Sequence, residues 1–142
     1  MPLLWNETEH SVGHPLLDEQ HRTLLSICHQ LAGLSADDTP HAEGGFLDVL
    51  GELARYADTH FETEESLLKK HGYPELTDQI GEHDEYRARM TLFLRNARHG
   101  VLERSRIQAY LVDWWLGHIA NTDMKFRGFL EARLAADPSG AA

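Results

Sequence analysis

Apolar residues recur along this chain at intervals of three and four, in four separate runs, and that is the period of a helix with one buried face. The first run predicts a helix from Leu16 or Asp18 to Leu34, with Leu17, Leu24, Leu25, Cys28, Leu31 and Ala32 on its stripe. The second runs from Gly45 or Phe46 to Lys70 and places Leu53, Tyr56, Ala57, Leu67 and Leu68 inward. Gly72 and Pro74 end it. The third runs from Leu76 or Thr77 to Arg98, through Tyr86, Met90, Phe93, Leu94 and Ala97, and Gly100 closes it. The fourth starts near Ser105, as N-cap, and continues to about Leu134 through Ile107, Leu111, Trp114, Trp115, Phe126, Phe129 and Leu130.

No segment alternates with period two. Amphipathic helices joined by short polar connections predict an all-α protein, an antiparallel up-down four-helix bundle. Pro2, Gly13 and Pro15 break any helix before residue 17, so the N-terminus reads as an arm whose Leu3, Leu4, Trp5 and Val12 pack onto the body. The expected organisation is one domain over residues 1–134 and a small, polar, disordered tail over 135–142.

The chain has 142 residues and a net charge of -10. That sign disfavours nucleic acid and anionic membranes as partners. No apolar run reaches the ~18–20 residues of a membrane span, and the N-terminus lacks the basic and apolar regions of a secretory signal. A cytoplasmic location is the expectation. Cys28 is the single cysteine, so it forms no disulfide within the chain and reads as a small core residue.

Ten histidines change the picture. Each apolar stripe carries one: His21, His60, His83 and His118. His60 and Glu64 stand four residues apart, on one face and one turn apart. Buried ionisable groups are costly unless something pairs with them. Imidazole nitrogen with carboxylate oxygen is a ligand set for iron, manganese or zinc. Asp123 fits less simply. Five residues of α-helix turn through about 500°, which leaves it about 140° from His118. His10, His14, His29, His41, His71 and His99 have no such partners, and most are expected to be exposed.

The stretches Trp5-Asn6, Ser11-Val12-Gly13, Asp18-Glu19-Gln20-His21, His60-Phe61-Glu62-Thr63-Glu64-Glu65, His71-Gly72-Tyr73-Pro74 and Trp115-Leu116-Gly117-His118-Ile119 with Asp123 stand in order. Together they resemble the bacteriohemerythrins of the hemerythrin family. The resemblance spans residues 5 to about 130. It implies a four-helix bundle holding a non-haem di-iron centre, two iron ions with an oxo or hydroxo bridge, that binds dioxygen reversibly. It assigns His21 and His60 to one iron, His83 and His118 to the other, and Glu64 and Asp123 to the bridges. Where the family has a further histidine, four residues before His83, this chain has Gln79. The resemblance leaves Gln79 as a weak ligand, as a residue that stands off and holds a water or other exogenous ligand, or as the mark of a weak or empty second site. The favoured expectation is an occupied site with a labile water.

The expected function is dioxygen binding, as a carrier, a store or an oxygen or redox sensor domain, with Leu25, Phe61, Trp114, Trp115 and Ile119 as candidate walls of the ligand pocket. The alternative is a redox protein that autoxidises rapidly, or that reacts with peroxide or nitric oxide through an open position near Gln79. No residue pattern assigns a catalytic group, so a binding protein is expected rather than an enzyme. A fused or partner signalling domain fits the sensor variant.

Overall fold

The computed structural model describes residues 10–136. The expectations placed on Leu3, Leu4, Trp5 and residues 137–142 lie outside them. The described residues form α1 (Pro15–Ala36), α2 (Ala42–Lys70), α3 (Leu76–Arg98) and α4 (Arg104–Gly117), followed by a π-helical turn (His118–Asp123) and α5 (Met124–Ala136). The last three run on as one rod. Among the described residues there is no strand.

Two apolar layers give the topology. One contains Leu24 to Leu31 of α1, Phe46 to Phe61 of α2, Tyr86 and Met90 of α3, and Ile107 to Ile119 of the rod. The other contains Val12, Leu17, Leu68, Tyr73, Phe126 and Leu130. Successive helices therefore enter and leave these layers in opposite order, as an antiparallel up-down-up-down bundle must. His21, Glu64 and Asp123 fall between the layers in sequence on their own helices, and His118 stands at the edge of the first layer beside Ile119. The polar cluster is thus a slab between two apolar plugs.

The connections are short, and glycine makes two of them. After α2, Gly72 takes φ 73° and the Tyr73 amide reaches back to the Leu68 carbonyl at 2.9 Å. After α3, Gly100 takes φ 82° and the Val101 amide reaches the Asn96 carbonyl at 2.9 Å. Both are left-handed helix caps, which side chains larger than glycine resist.

α1 runs from Pro15 to Ala36 rather than from Leu16 or Asp18 to Leu34, because proline is accepted in a first helical turn. The helices differ from expectation at three further places. α2 begins at Ala42, so Gly44 and Gly45 lie inside it; a Cβ on Gly45 would stand 3.2 Å from Leu34 Cδ2, and the missing side chain lets α2 start close against α1. Ser105 is not the N-cap of the last rod. Glu103 holds that position without a side-chain cap bond, and Arg104 instead donates to the carbonyls of Leu34 (2.6 Å) and Asp37 (2.9 Å). The third difference is the π-turn, which periodicity counted as plain α-helix.

The arm is tied down where it is described. Ser11 Oγ and the Val12 amide both donate to the Asp18 carboxylate, at 2.6 and 2.9 Å. His14 is the N-cap of α1, its Nδ1 accepting from the Leu17 amide at 3.4 Å. His10 and His14 are buried, against the expectation that they are exposed; His29, His41 and His99 are exposed as expected. Cys28 is buried in the larger apolar layer, and burial pushes its thiol up to about 12, so it stays protonated and unreactive.

Candidate metal centre

Every helix contributes to the slab. α1 places His21, α2 places His60 and Glu64, α3 places Gln79 and His83, and the last rod places His118 and Asp123; all are buried. The α-helical spacing of His60 and Glu64 puts Nε2 3.2 Å from Oε2. His118 and Asp123 meet for a different reason. A π-turn closes on the fifth residue rather than the fourth, so the turn from His118 to Asp123 brings the carboxylate round to within 3.0 Å of Nε2. The 140° offset expected of an α-helix is absorbed there.

The donors sort into two sets that share both carboxylates. His21, His60, Glu64 and Asp123 form one; His83, His118, Glu64 and Asp123 form the other. In the first, His21 Nε2 lies 3.0 Å from His60 Nε2 and 3.1 Å from Asp123 Oδ2. In the second, His83 Nε2 lies 3.1 Å from His118 Nε2 and 3.0 Å from Glu64 Oε1. Each carboxylate turns one oxygen to each set.

Groups behind the imidazoles fix their orientation. His60 Nδ1 donates to Gln20 Oε1 (2.8 Å), His83 Nδ1 to Glu65 Oε2 (2.7 Å) and His118 Nδ1 to Glu82 Oε1 (3.1 Å). With Nδ1 carrying the proton, the Nε2 lone pair of a neutral ring is aimed into the slab. The three backing residues sit beside Gln20's neighbour His21, Glu65's neighbour Glu64 and Glu82's neighbour His83, and each serves a histidine on the next helix. The Thr122 hydroxyl lies 2.8 and 2.9 Å from the Glu82 oxygens. Phe61 stacks on His83 with ring centroids 4.0 Å apart, and Trp114 stacks on His118 at 4.4 Å.

Protons balance the charge where cations would stand. Burial disfavours the Glu64 carboxylate, but four surrounding imidazoles outweigh it and hold its pKa well below the usual range. Asp123 is also lowered: burial and the Glu64 charge oppose ionisation, and His118 and His21 overcome them. Burial opposes the His21 imidazolium too, yet Asp123 and then Glu64 raise its pKa to about 9. His118 is raised well above its ordinary value against burial, by Asp123, Glu64 and Glu82. Burial and the neighbouring His21 charge lower His60.

This arrangement fits a pair of metal ions. Fully buried Glu64 Oε2 and Asp123 Oδ2 accept no aligned hydrogen bond, and neither does His21 Nδ1 find a partner. Four imidazole nitrogens and four carboxylate oxygens converge there, a donor set suited to first-row metal ions. Gln79 Nε2 lies 2.7 Å from Glu64 Oε1 and 2.6 Å from Asp123 Oδ1. The sequence singled out Gln79 but not its partners. Gln20, Glu65 and Glu82 were missed as backing groups, although a polar residue flanking each inward ligand was the available signal.

The candidate pocket residues divide. Leu25, Phe61, Trp115 and Ile119 are buried in the larger apolar layer beneath the slab, and Trp114 is half-buried against it.

Fold and site define a four-helix bundle with a dinuclear His/carboxylate centre. Residues 12–130 match the Hemerythrin HHE cation binding domain, and the chain belongs to the hemerythrin family. It is similar to the bacteriohemerythrin of Methylococcus capsulatus, 25% identical over 92% of this chain and 98% of that one. It is likewise 24% identical to the bacteriohemerythrin of Stenotrophomonas maltophilia, over 93% of this chain and 84% of that one. The myohemerythrin of Theromyzon tessulatum is 27% identical over 91% and 94%. A crystal structure of wild-type hemerythrin superposes with TM-score 0.81 at 21% identity, covering 90% of this chain and 97% of that one. Among the described residues, no helix is long and apolar enough to cross a membrane.

Proposed function

We infer that this chain is a non-haem di-iron protein that binds dioxygen, acting as a carrier, a store or a sensor. The observation that carries the reading is the pair of buried donor sets sharing Glu64 and Asp123, in a chain of the hemerythrin family. His21 and His60 would hold one iron, His83 and His118 the other, with the two carboxylates reaching both. When bound, the iron pair supplies reducing electrons and an open coordination position for dioxygen.

The chain's own residues do the rest. Glu65, Glu82 and Gln20 hold three imidazoles in the tautomer that presents Nε2. Phe61 and Trp114 clamp two rings by stacking. Leu25, Phe61, Trp115 and Ile119 form a dry wall that keeps water from the slab. Exclusion of water limits escape of charged, reduced oxygen species, which water would stabilise.

A second reading has one observation in its favour. A polar cleft of about 20 Å³ is lined by Tyr73, Gln79, Glu82 and Thr122 among others, and two of these touch the His83–His118 half: Gln79 through Glu64 and Asp123, and Glu82 through His118. That is room for about one water-sized molecule. Small molecules such as nitric oxide or peroxide could approach that half through this cleft, which favours a redox role.

One experiment tests both. The protein is loaded anaerobically with ferrous iron, metal is counted per chain, air is admitted and the visible spectrum is followed. A band that bleaches again under vacuum supports reversible dioxygen binding. Immediate, irreversible conversion to a diferric spectrum supports the redox reading. Failure to retain iron rejects both.

A further inference from the structure

The two halves of the centre have the same donor types but are not equally open. Glu64 Oε2 and Asp123 Oδ2, which face His21 and His60, accept no hydrogen bond. Glu64 Oε1 and Asp123 Oδ1, which face His83 and His118, both lie within 2.7 Å of one atom, Gln79 Nε2. An amide oxygen in that position would face two carboxylate oxygens, so chemistry assigns the NH2 end there. Its two hydrogens are then both used, one on each carboxylate.

We propose that Gln79 makes the centre fill in order, the His21–His60 half first, by capping the carboxylate oxygens that the other half needs. The proposal rests on the reading of the cluster as a metal centre. In the first half an entering cation meets oxygens that face only the imidazoles of His21 and His60 and carry no amide cap. In the second it meets oxygens already hydrogen-bonded to amide hydrogens, whose partial positive charge opposes it. The amide must turn away before the second ion is held, and the cleft lined by Gln79, Glu82 and Thr122 is the space behind it. Glu65 and Glu82 strengthen the nitrogens of His83 and His118, but they do not vacate the oxygens. A histidine at position 79 has a single N–H on each ring nitrogen and could not cap two carboxylates from one atom.

Cobalt(II) titration of the full metal-free chain tests this, with calorimetry for affinity and the visible ligand-field bands for occupancy. The wild type should take two ions in two resolved steps, at least about tenfold apart, since charge-assisted hydrogen bonds are given up only in the second. Gln79→Leu, which removes both donors, should leave the first step in place and tighten the second by about tenfold or more. His118→Ala should keep the tight step, and His60→Ala should lose it. If Gln79→Leu does not fold without metal, Gln79→Asn, one methylene too short to reach both oxygens, is titrated instead and should also tighten the second step. A second-step affinity that is unchanged or weaker in these variants overturns the proposal, as does a tight step that disappears in His118→Ala. Two ions bound with no dependence on position 79 would sink only this inference. No cobalt bound at all would sink the metal-centre reading as well.

Discussion

Nε2 of His118 stands 3.0 Å from Oδ1 of Asp123 on one continuous helical rod, although the two residues are five apart. The π-turn between them is what makes the carboxylate a member of both donor sets.

That gives a first prediction. Asn121 lies in the turn and is exposed. Deleting it shortens the spacing of the two ligands from five residues to four, which an ordinary α-helix closes. The deletion variant should still bind two metal ions per chain, with the rod α-helical throughout. Loss of one ion, by metal analysis after gel filtration, would show that the π-turn does more than correct the phase.

Glu64, like Asp123, is common to both halves, and it lies within 3.9 Å of all four imidazoles, those of His21, His60, His83 and His118. Glu64→Ala should therefore retain neither ion, whereas loss of a single histidine affects one half first. Iron counted per chain after dialysis distinguishes the two patterns.

Stability of the metal-free chain should depend on pH in both directions. His21 keeps its proton to about pH 9 when folded, against 6.5 for the free side chain. Its contribution is fully present below pH 6.5 and is lost as pH rises through about 9, an effect of about 3 kcal/mol. His60, with a lowered pKa, acts the other way: the unfolded chain takes up that proton below pH 6.5 and stability falls. Thermal melts followed by circular dichroism from pH 5 to 9.5 should show a maximum between these limits. Metal loading should flatten the alkaline limb, because bound cations replace the protons.

Glu65 and Glu82 back His83 and His118 at 2.7 and 3.1 Å. Glu65→Ala and Glu82→Ala should each weaken metal affinity about 10- to 100-fold without unfolding the chain. Chelator competition measures the loss. An unchanged affinity would mean that stacking by Phe61 and Trp114 alone holds the rings.

Gln79→His adds an imidazole nitrogen beside His83 and His118. It should slow conversion of the ferrous protein to the diferric form in air, read as the decay rate of the visible spectrum. An unchanged rate would mean that position 79 does not control the reactivity of that half.

Much of this protein was decided in one dimension. The 3.6-residue period of apolar positions set four helical segments, and Gly72 and Gly100 set two of their ends, because left-handed caps need a residue without a Cβ. The same period set His21, His60, Glu64, His83 and His118 on inward faces, since each lies in phase with its own helix's leucines and aromatics. Tertiary structure alone decided what those faces meet. Asp123 is out of phase on an α-helix, and only the π-turn brings it in. Gln20, Glu65 and Glu82 flank inward residues on their own helices, yet each hydrogen-bonds to the helix beside it, a pairing that depends on axial register and rotation. Gln79 is inward by periodicity. That its amide spans two carboxylates from two other helices follows from packing, because hydrogen-bond partners across a bundle are fixed by the distances between helices and not by spacing along any one of them.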